Sequence, residues 1–573
     1  MLEEIARREW RKFAANQRRI LNTKFTIVGL AALCAAITVP SHAQTADSAL
    51  LNALVKKGVL SDSEAQQIEA QDQKEYNETA ASKISLASSI KKITFYGDLR
   101  LRYEMRDGVT PAGYTGNGGA KLTAGDSEDR NAWRYRLRFG IKGDLTDNFF
   151  FGIRAATNPY YDRSGNVTFG HSDAAGPFGK GQSLLALDQV YLGWHATDDI
   201  TLTGGQMPNP LYTTSLVWSE DLNPAGAAEQ WDHKFDNGLD VFATAGQFVY
   251  SAAAGNAITN GLGSNTSNVN TFMYAEQVGF KYNFDKDTFF KAAATMYTYS
   301  GTSSNASNGT VASLYSSGAT TPLQLSAPNA SPSYFNGPFV GAASAPVSNV
   351  SGINDLAVLE TPMEFDFKIG PGVHKNSSSD PKDLKAMQSE ITTGWVLPMR
   401  IFADFAYNFE ADERADQARR AIDSLANTGA SNLGVTSQGS AAGNADMIAS
   451  PTFQGVLNSG TGFLDQSAYE IGIEAGQMKK KGDWDAKLWW QSTGYYAVDP
   501  NLIDADIFNA ATNMQGVIVA VSHNWTDGLS STLRYAYAMP VNGRLATPNV
   551  NQDLQEGDIR QYNLFQADVM WKF

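Results

Sequence analysis

The chain has 573 residues, with 45 Lys and Arg against 59 Asp and Glu, a formal net charge of −14, 51 glycines and 11% aromatic residues. That balance argues against nucleic acid as a partner. A single cysteine excludes a disulfide framework.

Arg18, Arg19 and Lys24 precede an apolar run from Phe25 to Val39, which Pro40 ends. Ser41-His42-Ala43 then offers small residues where a signal peptidase reads. A run of about fifteen apolar residues is short for a spanning helix, so residues 1–43 are expected to be a secretory signal peptide, cleaved before Gln44. A start at Met1 and a start near Leu21 both remain open. Cys34 lies inside the apolar run, behind a Leu33 too large for a lipoprotein cleavage site, and is lost with it.

Residues 44–91 read as a helical periplasmic prelude. Asp47 caps a first short helix over 48–57, which Gly58 ends. Ser61 and Glu64 form a capping box that opens a second helix, running to about Thr79. The prelude is read either as a coiled coil that trimerises or tethers the chain, or as a loosely ordered leader.

Period-two alternation begins at Lys92. Ile93, Phe95, Gly97, Leu99, Leu101, Tyr103 and Met105 alternate with Thr94, Tyr96, Asp98, Arg100, Arg102, Glu104 and Arg106. Trp133, Tyr135, Leu137, Phe139 and Ile141 alternate with Arg134, Arg136, Arg138, Gly140 and Lys142. Successive strand side chains point to opposite faces, so one face is aromatic and apolar and the other charged. A soluble sandwich can neither bury those arginines nor expose those aromatics. Sixteen strands are expected, near 92–106, 130–143, 149–157, 184–194, 199–207, 227–235, 239–248, 272–284, 288–299, 386–397, 399–409, 467–477, 484–496, 513–525, 529–539 and 559–573. Short turns, such as Asp236-Asn237-Gly238, Leu397-Pro398 and Thr526-Asp527-Gly528, alternate with long connections, the largest near 300–385 and 410–466. Residues 92–573 thus predict an all-β, antiparallel up-and-down transmembrane barrel of about 16 strands, its turns periplasmic, its long loops external and its lumen wet.

The chemistry concentrates on the first three strands. Arg100, Arg102, Arg106, Arg134, Arg136, Arg138, Lys142 and Arg154 share the polar face and predict one basic wall along the lumen. The wall predicts a weak anion preference; in the alternative reading some of these arginines pair with Asp98, Glu104 or loop acids and merely hold the wall rigid. The connection Gly204-Gly205-Gln206-Met207-Pro208-Asn209-Pro210, continuing to Trp218-Ser219-Glu220-Asp221, has the prolines and aromatics of a loop with a fixed path. If it folds inward, Glu220 and Asp221 face the arginines and set a transverse field across an eyelet. If it stays outside, it is a proline-capped external loop. Glu470 and Glu474 are lumenal acids that oppose the anion preference.

At the end of the chain, Phe573, Trp571 and Val569 occupy alternate positions. This resembles the C-terminal assembly signal of bacterial outer-membrane proteins, and implies recognition by the barrel-assembly machinery. Catalytic signals are absent. The histidines at 171, 195, 233, 374 and 523 have no metal-ligand spacing. Ser522 and His523 point to opposite faces of one strand, so no dyad forms between them. No cofactor, metal or catalytic residue is expected.

Lys57-Gly58-Val59-Leu60, Tyr96-Gly97-Asp98-Leu99-Arg100-Leu101-Arg102-Tyr103, Met207-Pro208-Asn209-Pro210 with Trp218 to Asn223, and the terminal Phe573 together resemble the bacterial "putative porin" family. The resemblance implies a bacterial outer-membrane channel, set in lipid and lipopolysaccharide, for passive diffusion of small hydrophilic solutes. By analogy with sixteen-stranded porins it also implies a homotrimer. A substrate-specific anion channel is a variant within that class. The rival from another class is a surface adhesin or envelope-tethering barrel with long external loops.

Overall fold

The computed structural model describes residues 61, 87–109, 127–159, 164–170, 183–251, 271–300, 356–370, 395–415, 462–543 and 559–573. The chain divides into two compact units, 1–88 and 89–573. The expected signal peptide and nearly all of the helical prelude lie outside the described residues.

The second unit is a closed antiparallel barrel. Its strands are β1 (Ile90–Val109), β2 (Ser127–Leu145), β3 (Phe149–Pro159), β4 (Val167–Thr168), β5 (Ser183–His195), β6 (Ile200–Gln206), β7 (Ala225–Lys234), β8 (Leu239–Ser251), β9 (Thr271–Asn283), β10 (Phe289–Ser300), β11 (Ala357–Glu360), β12 (Met363–Ile369), β13 (Leu397–Asn408), β14 (Ser467–Gly476), β15 (Trp484–Thr493), β16 (Met514–Asn524), β17 (Leu529–Pro540) and β18 (Gln561–Lys572). A one-turn helix α1 (Phe463–Gln466) leads into β14. These eighteen segments make sixteen staves. The two-residue β4 fills the place beside Arg134 and Tyr135 that β3 leaves after pairing Ala156 with Arg138. β11 and β12 are one stave, because their pairing with β10 keeps a single register from Thr298↔Ala357 to Phe289↔Asp366. Only Thr361 and Pro362 interrupt it, since proline has no N–H to give the ladder.

That stave corrects one expectation. The tenth strand is formed by 357–369, not by 386–397, and the expected external loop 300–385 therefore contains a strand. Leu397 and Pro398 lie inside β13, paired with Ile369 and Lys368, and are not a turn. β12 ends and β13 begins on the side of the barrel where the other connections are short. Most of the connection between them, with residues 386–394, lies outside the described residues, as does most of 410–466.

Short turns form where the residue types demand them. Thr146–Asn148 is a single 3-10 turn with Asp147 at φ 58° and Asn148 at φ 62°, a region that Asp and Asn enter more readily than other side chains. The outward face is apolar, with Phe95, Leu101, Ile153, Leu192, Ile471, Leu488, Val519 and Leu533 exposed. Trp194, Trp231, Trp484, Trp525 and Trp571 ring the turn end, the girdle expected at a membrane–water boundary.

Phe573 extends the seam that closes the barrel. β1 pairs β18 from Asp98↔Lys572 to Val109↔Gln561. Beyond it, the Gly97 N–H donates to Phe573 O at 3.0 Å and the Phe573 N–H to Gly97 O at 3.1 Å. The Phe573 ring covers Gly97, where an added Cβ would stand 2.5 Å from Arg138 O and 2.6 Å from a ring carbon. Gly97→Val therefore forces the seam apart, at a cost of about 1–3 kcal/mol for overpacking. Deleting Phe573 removes two seam hydrogen bonds and the ring. Both variants are expected to lower the heat-modifiable, folded fraction in membrane extracts, seen as a gel-mobility shift. Wild-type folded levels in both would show that the seam does not need this contact.

Candidate functional site

The lumen is built from alternate residues of every stave. Two connections fold into it. The first, residues 207–224, leaves β6 and returns to β7 with its neck closed by the Met207 N–H donating to Pro224 O at 2.9 Å. The second, residues 494–513, joins β15 to β16 and is almost wholly buried. Met207, Leu211, Leu216, Val217 and Trp218 of the first pack with Val498, Ile503, Ala505 and Ala510 of the second in one apolar cluster. The Ser219 N–H donates to Leu502 O at 2.6 Å, and the Asp504 N–H to Ser215 O at 3.3 Å. Ala510 adopts φ 52°. A non-glycine residue held there costs of order 1–3 kcal/mol, which the surrounding contacts must offset.

The arginines lie together on β1, β2 and β3, as alternation requires, but their charge is matched. Arg102 donates to both oxygens of Asp568, at 2.7 and 2.8 Å, and its Nη1 lies 2.9 Å from Asp506 Oδ1. Arg100 Nη1 lies 3.5 Å from the other Asp506 oxygen, and Arg100 Nη2 donates to Asn166 Oδ1 at 2.6 Å. Arg106 grips Glu104 at 2.9 and 3.1 Å and donates to the carbonyls of Ala505 and Asp506. Arg134 lies 3.5 Å from Glu104. Arg136 and Arg138 share Asp98, at 3.2 and 2.8 Å, and share Asp221, at 2.8 and 3.5 Å. Arg154 meets Asp188 at 2.6 Å.

Seven arginines thus lie within 4 Å of six carboxylates, and the two inserted connections supply Asp221 and Asp506. Arg102, Arg106 and Arg134 are 1%, 0% and 2% exposed. They form a buried ionic core, and Arg100 and Arg136 are buried beside them, so five of the eight residues expected along the lumen are closed off from open water. Burying that many like charges without counter-charges is prohibitive, and removal of one partner from a buried pair costs about 3–5 kcal/mol. The open part of the wall is Arg138, at 20% exposure, and Lys142, which is exposed.

The opposite wall is acidic. Glu360, Glu364 and Asp366 on β11 and β12, Asp404 on β13, and Glu470 and Glu474 on β14 occupy lumen-facing positions of the tenth to twelfth staves. Those staves stand half a turn of the barrel from β1 to β3. The first connection spans the gap. At one end Thr213 donates to Glu360 at 2.5 Å and Thr214 to Asp404 at 2.5 Å, while Tyr297 donates to the other Glu360 oxygen. The Tyr212 backbone is held on both sides by Gln277, at 2.9 and 2.8 Å. At the other end Asp221 meets Arg136 and Arg138. Glu220 is exposed and makes no ion pair among the described residues. Of the two acids expected on this loop, Asp221 alone reaches the arginines.

A second set of cations has aromatic partners. Lys142 stands 5.5 Å from the Tyr96 ring centroid, Lys281 4.0 Å from Phe289, Lys291 3.6 Å from Tyr212, and Lys487 4.2 Å from Phe402. Cations over ring faces are attracted by the ring quadrupole. These lysines line the turn half of the lumen.

Sequence reasoning missed the connection 494–513. The signal for it was present: Tyr495, Tyr496, Ile503, Ile507 and Phe508 are a heavy apolar load for a loop left in water. It also missed the Lys–ring contacts, which depend on residues from different strands.

Residues 77–330 match the model of the family described as "Putative porin". No curated protein matches the chain. Among solved structures, a Salmonella typhi OmpF complex with daunomycin aligns at 9% identity, over 86% of this chain and 100% of that one, with TM-score 0.36. Pseudomonas aeruginosa OpdQ aligns at 10% identity, over 85% and 99%, with TM-score 0.33. Pseudomonas putida OprB aligns at 8% identity, over 84% and 94%, with TM-score 0.38.

The inserted connections contain a pH-sensitive group. Burial, then the neighbouring Asp506 and Asp221 carboxylates, push the Asp504 carboxyl up to about 7. Burial also opposes ionisation of Asp506, but Arg102, Arg100 and Arg534 outweigh it and hold that carboxyl well below the usual range. An acid whose folded pKa is raised disfavours the fold once it ionises. The penalty from Asp504 begins as pH rises past its unfolded value, near 4, and is complete above about 7. The connection 494–513 is therefore expected to loosen as pH rises from about 4 to about 7, raising the frequency of large conductance substates. Asp504→Asn should abolish that dependence, measured in single-channel records across the range. Identical pH profiles for the two proteins would contradict it.

The resemblance seen in the first strand and in the proline-rich connection is therefore borne out: residues 77–330, which hold β1 to β10, most of the arginine wall's framework and the first inserted connection, match the "Putative porin" family.

Proposed function

We propose that this protein is an outer-membrane porin, a water-filled channel for passive diffusion of small hydrophilic solutes and ions. The observation that carries the reading is the first inserted connection, strung across a closed barrel between Asp404 and Glu360 on one wall and Arg136 and Arg138 on the other. Charges of opposite sign on facing walls set a field across the passage, and that field orients dipolar solutes. The exposed apolar belt and tryptophan girdle support insertion in a bilayer, and homotrimeric assembly belongs to the same reading.

The anion preference proposed for this channel is weak. The buried guanidinia are matched by their own carboxylates, so passing ions meet Arg138, Lys142, Lys281, Lys291 and Lys487 on the water-facing side, while Glu364, Asp366 and Glu474 on the other wall are bound to Arg400. At an effective dielectric near 20, unit charges about 4 Å apart interact by roughly 4 kcal/mol, and salt screens beyond about 8 Å. Local charges therefore outweigh the acidic total of the chain.

Planar-bilayer recording tests both parts. Stepwise conductance is expected, with a reversal potential under a salt gradient displaced slightly toward anions. Lys142→Glu with Lys291→Glu should move it to the cation side without loss of folded barrel. Absence of conductance from correctly folded protein would remove the channel and favour the adhesin or tether. Unchanged selectivity in the double variant would show that these lysines do not meet the permeating ions.

A further inference from the structure

The outward face is apolar around most of the barrel, but one sector breaks the pattern. Register places Leu202, Glu229, Ala245, Glu276 and Met296 in one outward row across β6 to β10. The next row toward the loops reads Gly204, Ala227, Gln247, Tyr274 and Thr298. Glu229, Gln247 and Glu276 are exposed, and so are the small residues Gly204, Ala227 and Ala245 between them. Among the described residues, neither carboxylate has a hydrogen-bond or ion-pair partner.

Both carboxylates lie within the belt. Glu276 is flanked on its own strand by Val278, Phe280 and Tyr282 toward the turns, and by Tyr274 and Phe272 toward the loops. Glu229 follows Phe235, His233 and Trp231 in the outward series of β7. Six residues at about 3.3 Å each place either group roughly 20 Å along its strand from the turn-end aromatics. With the usual strand tilt that is about 15 Å of height, inside an apolar band about 25 Å tall. Ionisable groups at that depth turn away from hydrocarbon or are covered by protein. These two point outward, so protein must cover them.

We propose that the outward face of β6 to β10 is the contact surface between copies of this chain in a homo-oligomer. The inference rests on the reading that the barrel spans a bilayer. The occupant follows from the chemistry of the surface. It carries acceptors, Glu229 and Glu276, together with its own donors, Gln206, Gln247, Tyr274 and Thr298. The described outward positions of the sector hold no Lys or Arg, so the surface complements itself. The acceptors fall on either side of Ala243 and Ala245, Glu229 on β7 and Glu276 on β9. One flank of a copy can therefore meet the other flank of its neighbour, as a cyclic assembly requires. The alanines and Gly204 let two sheets approach closely, the same use that small residues have at helix contacts in membranes.

Ala245→Trp tests the assignment, because an outward tryptophan is well tolerated where lipid is the neighbour and obstructive where another barrel is. Val519→Trp, on the far side of the barrel, is the control. Mass in mild detergent, read by light scattering with detergent correction, is expected to show an oligomer for wild type and for Val519→Trp. Ala245→Trp should show at least a tenfold loss of oligomer, with heat-modifiable folding retained. A second measurement covers misfolding of that variant: Ala245→Cys in the otherwise cysteine-free mature chain should give a crosslinked dimer under a short bifunctional thiol reagent. Oligomers that survive Ala245→Trp, or a wild-type monomer that still conducts, would overturn the interface while leaving the channel standing. A wild type that neither conducts nor extracts with the membrane would instead remove the reading on which it rests.

Discussion

Seven guanidinium groups on three adjacent strands are the constraint from which the rest of the interior follows. Strand spacing fixes them about 4.8 Å apart between neighbours, and arginine does not shed its charge. Such a wall is tolerable only if water or carboxylates face it. β1 supplies Asp98 and Glu104, β18 supplies Asp568, β5 supplies Asp188, and the inserted connections supply Asp221 and Asp506. Hydrophobic packing between the connections, centred on Trp218 and Ile503, then fixes segments that the ion pairs have drawn inward. Charge decides where the connections go, and apolar burial keeps them there.

The arrangement separates two roles that one residue type could be thought to share. Arginines with forked, bidentate partners hold the inner wall rigid. Arg102 on Asp568 and Arg106 on Glu104 show this most fully, since neither side chain has access to water. Lysines over aromatic rings keep a compact ammonium near water in the turn half of the lumen, where a solute can exchange with it. Permeation is expected to depend on the second group and folding on the first.

Much of the barrel was legible because alternation reports facing directly. The runs from Ile93 and from Trp133 fix the polarity of β1 and β2 and place the arginines on one surface. The glycine and proline content of 204–210 marked a connection with a fixed path, and Asp221 does reach Arg136. The stave at 357–369 was hidden because Pro362 breaks its alternation and low-complexity sequence precedes it, although Met363, Phe365, Phe367 and Ile369 alternate with Glu364, Asp366 and Lys368. Pairing of the arginines with Asp98 and Glu104 was legible as an alternative, because those acids share the polar face of the first strand, but the pairing with Asp506 was not. Asp506 lies about 400 residues from Arg106 in the chain, and no local pattern links them. Nor does alternation distinguish a side chain that faces lipid from one that faces another subunit, so Glu229 and Glu276 passed as ordinary strand residues.

The central claim is that the two connections narrow the channel because the charged walls hold them inside it. Replacing residues 495–512 with a short Gly-Ser turn removes Asp506 and the apolar partner of the first connection while leaving all sixteen staves. Single-channel conductance of that variant, compared with wild type at the same salt, addresses the claim directly. The account predicts a severalfold rise in conductance, with the barrel still closing through Gly97 and Phe573. A folded variant with wild-type conductance would contradict it.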